Sequence, residues 1–298
     1  MAKIITVFGA TGGQGGGVVD ALLTDPAFKV RAVTRNVNSD KAQKLKARGA
    51  EVVAANVDEP DSVKAALKGA YGCFVVTNYW DHFDAARETK QGKDAVDAAK
   101  EVGIKHFVYS GLENVQRTLG IPCEHFDSKA AVEEYLQQSG LPFTSVRFSL
   151  YFDNFTTILV PTKVGENKFA LNLPMGSVPL DGVAVRDGGE VIHQIFVKEK
   201  EFMGKFVGIG GDRLTMEQYA AILSKHLAPK KFVDGKITVE QYKALGFPGA
   251  TEMGNMFDFY QRGNPERNVE LCRQLHPKIR NFEQWVLDNK DALNKATS

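Results

Sequence analysis

The first 150 residues alternate short apolar runs with longer stretches whose apolar residues recur every three or four positions. The apolar runs predict strands at residues 4–8, 30–34, 51–55, 72–77, 106–110 and 143–148. The stretches between them predict helices at residues 61–67, 87–102 and 128–139, after a first helix carrying Val18, Val19, Leu22 and Leu23. This alternation predicts a doubly wound parallel sheet, because two parallel strands need a crossover helix between them.

The regular alternation ends near residue 148. Short helices, loops rich in proline and glycine, and isolated strands such as Phe206–Ile209 follow. An amphipathic helix is predicted at 214–227. We therefore predict an α/β protein with a Rossmann domain at residues 1–150 and a smaller mixed α/β region at 151–298 that binds a substrate or partner. Part of the second region, around 183–197, is expected to return toward the main sheet.

The first predicted strand runs into a glycine-rich turn. Gly9 permits the tight turn, Gly12 lets the backbone approach phosphates, and Gly15 lets the following helix pack on the strand. A flexible turn without a ligand is the alternative. The complete β-α-β context favours a dinucleotide site, with the pyrophosphate at the N-terminus of the helix.

Arg35 stands directly after the second strand of this unit. A cofactor without a 2′-phosphate is expected to meet Asp or Glu there, whereas arginine suits the phosphate of NADP. A charge-assisted hydrogen bond contributes about 1.5–3 kcal/mol, which corresponds to one or two decades of preference. Lys41 either adds to the same pocket or lies on a solvated helix face.

Composition excludes several functions. The 37 Lys and Arg residues balance 36 Asp and Glu residues to a net charge of +1, so we expect no direct nucleic-acid binding and no attraction to anionic membranes. The first residues lack the pattern of a signal peptide or spanning helix, which predicts a cytoplasmic protein. Three scattered cysteines are too few for a disulfide framework or a zinc cluster, and we expect no metal.

Several motifs together resemble the NmrA-like family, a branch of the atypical short-chain dehydrogenase/reductase superfamily, and are most similar to its animal-type NADPH-sensing members. The resemblance covers nearly the whole chain. Its motifs lie at residues 7–15, 33–36, 76–80, 90–93, 108–112, 125–129, 151–154 and 282–285.

The resemblance implies a Rossmann domain that holds NADP(H), with Arg35 on the 2′-phosphate and Lys129 on the nicotinamide ribose. The pyrophosphate is expected to meet the turn residues Gly9, Thr11, Gly12, Gly13, Gln14 and Gly15. Further cofactor contacts are implied at Thr77, Asn78, Tyr79, Lys90, Tyr151, Phe152 and Asn154. Asp58 is implied at the adenine edge, although the local sequence Asn56-Val57-Asp58 departs from the family's usual Gly-Asp pattern.

Catalytic members of the superfamily carry a Tyr-x-x-x-Lys pair on one helix face. Here His125 occupies the tyrosine position, Lys129 is present, and Ser110 occupies the place of the carbonyl-polarising serine. Histidine titrates near neutrality and is a conceivable proton donor. The stronger interpretation is that Lys129 binds a ribose and His125 is structural or contacts the cofactor, so efficient carbonyl chemistry is absent. Reduction of a quinone requires less from the protein's proton donor than reduction of a carbonyl does, so slow quinone reduction remains the alternative.

Two aromatic segments are ambiguous in the sequence. Residues 79–82 (Tyr-Trp-Asp-His) are either a metal or stacking site or an aromatic loop over the nicotinamide, and the ligand count favours the loop. Residues 253–260 are apolar at helical spacing, which favours core packing over a partner surface.

These observations predict an NADP(H)-binding sensor with little or no dehydrogenase activity, whose conformation, self-association or partner binding responds to cofactor state. The alternative is an NADPH-dependent reductase of quinones or similar small acceptors. The sensor hypothesis implies a regulatory protein partner, a homodimer as a further state, and the nucleus as a location beside the cytoplasm. It also expects two irregular segments, 77–87 and 113–126, to become ordered when the cofactor binds.

Overall fold

A computed structural model describes residues 2–263, 265 and 267–298. The strands are β1 Lys3–Val7, β2 Phe28–Thr34, β3 Glu51–Ala54, β4 Gly72–Val75, β5 His106–Ser110, β6 Phe143–Phe148, β7 Leu150–Tyr151, β8 Thr162–Gly165, β9 Lys168–Leu171, β10 Leu180–Val183, β11 Phe206–Ile209, β12 Asp212–Leu214 and β13 Lys231–Asp234.

The helices are α1 Gly13–Leu22, α2 Asp40–Ala47, α3 Pro60–Leu67, α4 Ala85–Val102, α5 Val115–Leu119, α6 Glu124–Ser139, α7 Gly188–Val197, α8 Glu199–Phe202, α9 Met216–His226, α10 Val239–Lys243, α11 Ala250–Arg262, α12 Val269–Leu275, α13 Phe282–Asp288 and α14 Lys290–Ala296. Short 3-10 helices cover Tyr79–Asp81 and Phe152–Thr156. Among the described residues, no helix is both long and apolar enough to cross a bilayer.

The main sheet has seven strands in the order β11-β6-β5-β4-β1-β2-β3. The pairs from β6 through β3 are parallel. Strands β4 and β5 are buried along their whole length, which explains why they appear in the sequence as continuous apolar runs. The predicted α/β doubly wound fold is confirmed.

The strand order reverses between β1 and β4. The chain proceeds from β1 outward to β3 and then returns to place β4 on the other side of β1. Phe8, just after β1, donates its backbone N–H to the carbonyl of Phe74 in β4 at 2.9 Å. The segments that follow these two strands therefore begin side by side, at the switch point where doubly wound sheets bind ligands.

The first residues of helices α3, α4 and α9 explain why these helices differ from their predicted boundaries. Helix α4 begins before the predicted residue 87 because the side chain of Asp84 accepts a hydrogen bond from the Arg87 N–H. Helix α3 begins at Pro60, a residue suited to the first helical position. Helix α9 begins at Met216 rather than at residue 214 because Thr215 caps it and forms a capping box with Gln218.

The described chain divides into two compact units. The first contains the residues up to Asn114, Glu124–Arg147 and Val185–Val207. Its core lies between the sheet and helices α3, α4 and α6. Helix α7 crosses α1 at glycines, and a Cβ atom on Gly189 would lie 2.1 Å from the Gly17 carbonyl carbon, so only glycine allows this approach.

The second unit contains Val115–Cys123, Phe148–Ala184 and the residues from Gly208 onward. It holds two three-stranded sheets, β12-β10-β7 and β13-β9-β8. Its core includes a cluster of aromatic rings from Phe152, Tyr219, Phe282 and Trp285. The apolar residues of α11 are largely buried, which agrees with the core interpretation of that segment.

Candidate functional site

The glycine turn has the geometry that its three glycines predict. Gly9 adopts a φ of +65°, which favours glycine, and its carbonyl accepts the Gly12 N–H at 2.9 Å. A Cβ atom on Gly15 would lie 2.3 Å from the Gly9 oxygen. Gly12 precedes α1 without a side-chain cap, so the N-terminus of the helix is open to an anion.

The remaining turn residues lie around this opening. Gly12 and Gly13 are exposed, and Thr11 and Gln14 are half-buried. Their cofactor contacts remain predictions, as do those of the other expected site residues.

Arg35, at the end of β2, is paired with an acid from the segment after β4. Its Nη1 atom lies 3.2 Å from Oδ2 of Asp81, and the two side chains are 75% and 43% exposed. The other carboxylate oxygen accepts a hydrogen bond from the Asn78 amide at 2.6 Å. The guanidinium that we expect to bind a 2′-phosphate thus already contacts the 3-10 helix Tyr79–Asp81.

Asp58 is held by two side chains of α4. Arg87 donates two hydrogen bonds to its carboxylate, at 3.0 and 2.7 Å, and Gln91 donates a third at 2.8 Å. These hydrogen bonds, with Arg87 the largest contribution, lower the pKa of Asp58 to about 2. Asp58 is therefore an anion that positions Arg87, whether or not it also meets an adenine.

Lys129 of α6 reaches across the first unit to the end of β4. Its Nζ atom donates to the Thr77 carbonyl at 2.9 Å and to the Thr77 hydroxyl at 3.0 Å, and it forms a short ion pair with Glu88 of α4. Ser128 donates to the other oxygen of Glu88. An ammonium has three donors, and all three have protein acceptors here.

Glu88 is a buried carboxylate whose side chain has no exposed surface. Burial raises its pKa, but the charge of Lys129 and the hydrogen bonds from Lys129, Ser128 and Thr77 outweigh that effect, and the pKa is lowered overall. The Lys129–Glu88 contact is thus a buried ion pair at the lysine that the sequence predicts to meet the nicotinamide ribose.

His125 shares helix α6 with Lys129, four residues earlier, and is packed among aromatic rings. Its ring centroid lies 4.9 Å from that of Trp80, 6.1 Å from Tyr79 and 4.8 Å from Phe126. His125 is only 6% exposed, whereas Trp80 is 39% exposed. The imidazole is therefore one member of an aromatic cluster with an accessible indole.

The cluster is anchored by Tyr79 and ends at a strained residue. The Tyr79 hydroxyl donates to Glu124 Oε2 at 2.7 Å. Phe83 contacts the rings of Tyr79 and Trp80, is 51% exposed, and adopts a φ of 53°. Positive φ is costly for an aromatic residue. Tyr79 and Trp80 thus lie in an aromatic cluster, and the position of this segment over a nicotinamide stays a prediction.

Three further candidates belong to the first unit. Ser110 is the last residue of β5 and is 3% exposed. Lys41 is exposed on α2, and Lys90 pairs with Asp94 one turn along α4.

Tyr151, Phe152 and Asn154 belong to the second unit. Tyr151 packs edge-on against Phe148, with ring centroids 6.0 Å apart. Asn154 uses its carbonyl to accept the N–H groups of Thr157 and Leu159. Phe152 is fully buried in the aromatic core and offers a ligand no exposed surface.

Glu88 and Arg87 escaped sequence reasoning, and Asp81 was considered only as a member of a metal or stacking site, not as a partner of Arg35. Glu88 carried a usable signal, because it is an acid on the buried face of α4 together with Gln91, Ala95 and Ala99. A charge on such a face usually has a partner. Asp81 and Arg87 resemble ordinary surface charges in the sequence, and their partners are distant along the chain.

The strand order and the glycine turn at its switch point define a Rossmann-type α/β protein of the doubly wound class. Residues 1–286 match the model of the NmrA-like family. The chain belongs to that family. A relative from Aspergillus flavus, the NmrA-like family domain-containing oxidoreductase lnaB, is 29% identical over 299 aligned residues, covering 92% of this chain and 90% of that protein.

Two solved structures have a similar fold. One is NmrA, a negative transcriptional regulator, in complex with NADP, with a TM-score of 0.84, 21% identity, and coverage of 100% of this chain and 98% of that one. The other is the NADPH-dependent quinone oxidoreductase QOR2 from Escherichia coli complexed with NADPH, with a TM-score of 0.79, 22% identity, and coverage of 95% and 99%. At these identities the likeness shows the fold.

Proposed function

We propose that this chain is an NADP(H)-binding regulator with little or no dehydrogenase activity, whose conformation and partner binding respond to the cofactor. The observation that carries the proposal is the contact between Arg35 and Asp81. It joins the position expected to bind the 2′-phosphate to the aromatic loop that follows β4.

Phosphate and Asp81 compete for the same guanidinium. An exposed ion pair contributes about 0–1 kcal/mol, whereas hydrogen bonds to charged groups contribute about 1.5–3 kcal/mol. A 2′-phosphate therefore displaces Asp81 from Arg35 at small cost. A cofactor without that phosphate leaves the pair in place, so the response is specific for NADP(H).

Release of Asp81 frees one end of a strained segment. Asp81 closes the 3-10 helix that carries Tyr79 and Trp80, and Phe83 follows two residues later with a positive φ. Backbone strain of this type costs about 1–3 kcal/mol and persists only where neighbouring contacts hold it. We expect the segment 77–87 to change conformation when Asp81 leaves Arg35, which gives a partner a different surface to bind.

The surroundings of His125 and Lys129 support the proposal that the protein reduces carbonyl compounds weakly or not at all. His125 replaces the proton-donating tyrosine and is nearly buried within the aromatic cluster. The Lys129 ammonium forms an ion pair with Glu88 and donates hydrogen bonds to Thr77. Neither residue is placed to lower the pKa of a tyrosine, because no tyrosine stands at the required position.

The test compares NADPH, NADP, NADH and NAD by calorimetry and by protease sensitivity of segment 77–87. We expect NADP(H) to bind about ten- to hundredfold more tightly than NAD(H), because of the phosphate contact with Arg35. Only NADP(H) should change the cleavage pattern. Asp81→Asn is the matched variant: it should bind NADPH up to about fivefold more tightly, since the competitor is gone.

Two results would reject the proposal. Equal affinity for phosphorylated and unphosphorylated cofactors would remove the role of Arg35. An identical cleavage pattern in all cofactor states, for both the wild type and Asp81→Asn, would leave the regulator without a responding segment.

A reductase of quinones or similar acceptors is the second candidate, and the accessible indole of Trp80 favours it. An exposed aromatic cluster suits a planar aromatic acceptor, and relatives of the family are named oxidoreductases. NADPH oxidation with quinones, measured beside simple aldehydes and ketones, tests this candidate. Quinone turnover that survives His125→Ala supports it, whereas steady aldehyde turnover that depends on His125 and Lys129 would contradict both candidates.

A further inference from the structure

Two neighbouring aromatic side chains of the first unit are exposed. Trp80 is 39% exposed and Phe83 is 51% exposed, and their ring centroids lie 5.6 Å apart in an edge-on arrangement. Both rings also contact the buried ring of Tyr79, at 5.3 and 5.8 Å. A single exposed hydrophobic residue is normal on a protein surface, whereas exposed rings in mutual contact favour an interaction surface. We call this surface, Trp80 with Phe83, the aromatic patch.

The backbone supports this interpretation, because Phe83 is strained. Its φ of 53° lies in the left-handed region, which is unfavourable for an aromatic residue. Local hydrogen bonds hold the strain: the Phe83 N–H donates to the Tyr79 carbonyl at 2.8 Å, and the next N–H, that of Asp84, donates to Nδ1 of His82 at 3.1 Å. Strained residues of this type cluster at binding sites and switch segments. The fold therefore keeps Phe83 in a costly conformation that leaves half of its side chain exposed.

Two acidic side chains beside the aromatic patch form no ion pair among the described residues. Asp84 directly follows Phe83, and its Oδ1 atom caps α4 by accepting the Arg87 N–H at 2.9 Å. Glu124 accepts the Tyr79 hydroxyl at Oε2, at 2.7 Å. Both acids are exposed, and each has a second carboxylate oxygen that is available to a partner.

The arginines of the same region already have carboxylate partners. Arg35 pairs with Asp81, and Arg87 pairs with Asp58. The two acids beside the aromatic patch therefore add a surplus of two negative charges to it. Complementary charge steers association and suppresses wrong partners, so this surface favours a cationic partner and disfavours nucleic acid.

Arginine matches both features of the surface. Its planar guanidinium stacks on aromatic rings and donates two parallel hydrogen bonds to a carboxylate, whereas a lysine ammonium is more strongly hydrated and lacks the paired donors. We propose that Trp80, Phe83, Asp84 and Glu124 dock an arginine-containing basic segment of a partner protein. This inference rests on the proposed function, because it identifies the class of partner that the regulator binds through segment 77–87.

The test measures binding of the peptide acetyl-Gly-Arg-Gly-Gly-Arg-Gly-amide to the cofactor-free protein by calorimetry. The same peptide is prepared with lysine, or with neutral citrulline, in place of arginine. We expect the lysine peptide to bind about two- to fivefold more weakly and the citrulline peptide not to bind. No binding of the arginine peptide up to about 1 mM, or equal binding of either substituted peptide, would overturn the proposal.

Variants locate the site. Phe83→Leu keeps the apolar bulk but removes the ring, and it should weaken binding of the arginine peptide about two- to fivefold. Asp84→Asn and Glu124→Gln each remove a charge but keep the side-chain oxygen that accepts the existing hydrogen bond, so each should weaken binding about three- to tenfold in a folded protein. Asp61→Asn, at an exposed acid in the first turn of α3, is the matched control and should bind like the wild type. Unchanged affinity in the three patch variants would overturn the proposal.

Two further measurements separate this surface from its alternatives. Sedimentation of the wild type and of Phe83→Leu without peptide tests a second copy: a dimer that Phe83→Leu dissociates would assign the aromatic patch to self-association and overturn the proposal. Saturating NADPH tests the proposed function, which predicts weaker peptide binding because segment 77–87 changes conformation. Peptide binding that is equal with and without NADPH would reject the cofactor response, whereas the docking surface would still stand on the variants.

Discussion

The ammonium of Lys129 is paired with the carboxylate of Glu88, a side chain without exposed surface, across 41 positions of the chain. Thr77 supplies the two remaining acceptors of the ammonium. A lysine that a cofactor ribose is expected to meet is therefore already fixed by the protein. Its position depends on α4 as much as on its own helix.

Replacing Glu88 with Gln should destabilise the protein by about 3 kcal/mol, because it leaves the Lys129 charge without its buried counterion. Urea unfolding at pH 7 measures the change. Asp94→Asn removes the partner of Lys90 in an exposed pair on the same helix and should cost less than about 0.5 kcal/mol. Equal losses of stability in Glu88→Gln and Asp94→Asn would show that burial does not strengthen the Lys129–Glu88 pair.

The Glu88 pair also predicts a pH dependence. The pKa of Glu88 is lowered in the folded state, so its contribution is present above the unfolded pKa and is lost as pH falls through the folded value. The stability difference between wild type and Glu88→Gln should therefore shrink on acidification below pH 4.5. Paired urea curves at several pH values provide the measurement, and a difference that stays constant into strong acid would contradict this prediction.

Asp181 predicts the opposite trend. Its pKa is raised from 3.8 to about 6 in the folded state, so the wild type loses stability as pH rises between these values. Asp181→Asn should be more stable than wild type at pH 7.5 by up to about 3 kcal/mol, and the gain should vanish near pH 4. Thermal unfolding across this pH range checks the sign. A gain that is the same at both pH values would count against the raised pKa.

Substitutions at the two glycines should have different effects. Replacing Gly12 should impair cofactor binding, whereas replacing Gly15 should impair folding. A Cβ atom on exposed Gly12 would meet only the Gly9 oxygen at 3.3 Å, whereas one on Gly15 would lie 2.3 Å from it. Gly12→Val should thus fold normally but lose NADPH binding, because its side chain fills the space expected for the pyrophosphate. Gly15→Val should lower the melting temperature. Circular dichroism and calorimetry distinguish the two, and undiminished NADPH affinity in Gly12→Val would reject the pyrophosphate assignment.

Trp80 offers a direct readout of the cofactor. It is 39% exposed, whereas Trp285 is 1% exposed in the second unit. If the aromatic loop lies over the nicotinamide, NADPH should quench the Trp80 emission. Trp80→Phe should remove that response while retaining binding by calorimetry. Quenching that persists in Trp80→Phe would assign the signal to Trp285 and leave the loop without a cofactor contact.

The sequence by itself determined the architecture of the main sheet. The alternation of apolar runs with helical periodicity specifies parallel strands, and strands β5, β6 and β11 agree with the predicted residues. These features depend on residues close together in the chain, where side-chain spacing and turn geometry act directly. The glycine turn is local in the same sense, and its conformation follows from three nearby residues.

The tertiary structure decided the partners of the functional charges. Asp81 reaches Arg35 because the strand order places the end of β4 near the ends of β1 and β2, and Glu88 reaches Lys129 because α4 packs on α6. Likewise, only folding brings Ser149, Asp181 and Arg267 to one cavity. Hydrophobic periodicity indicates which face of an element is buried. The partner of a charge on that face depends on how elements distant in the chain pack together, and no local sequence pattern encodes that packing.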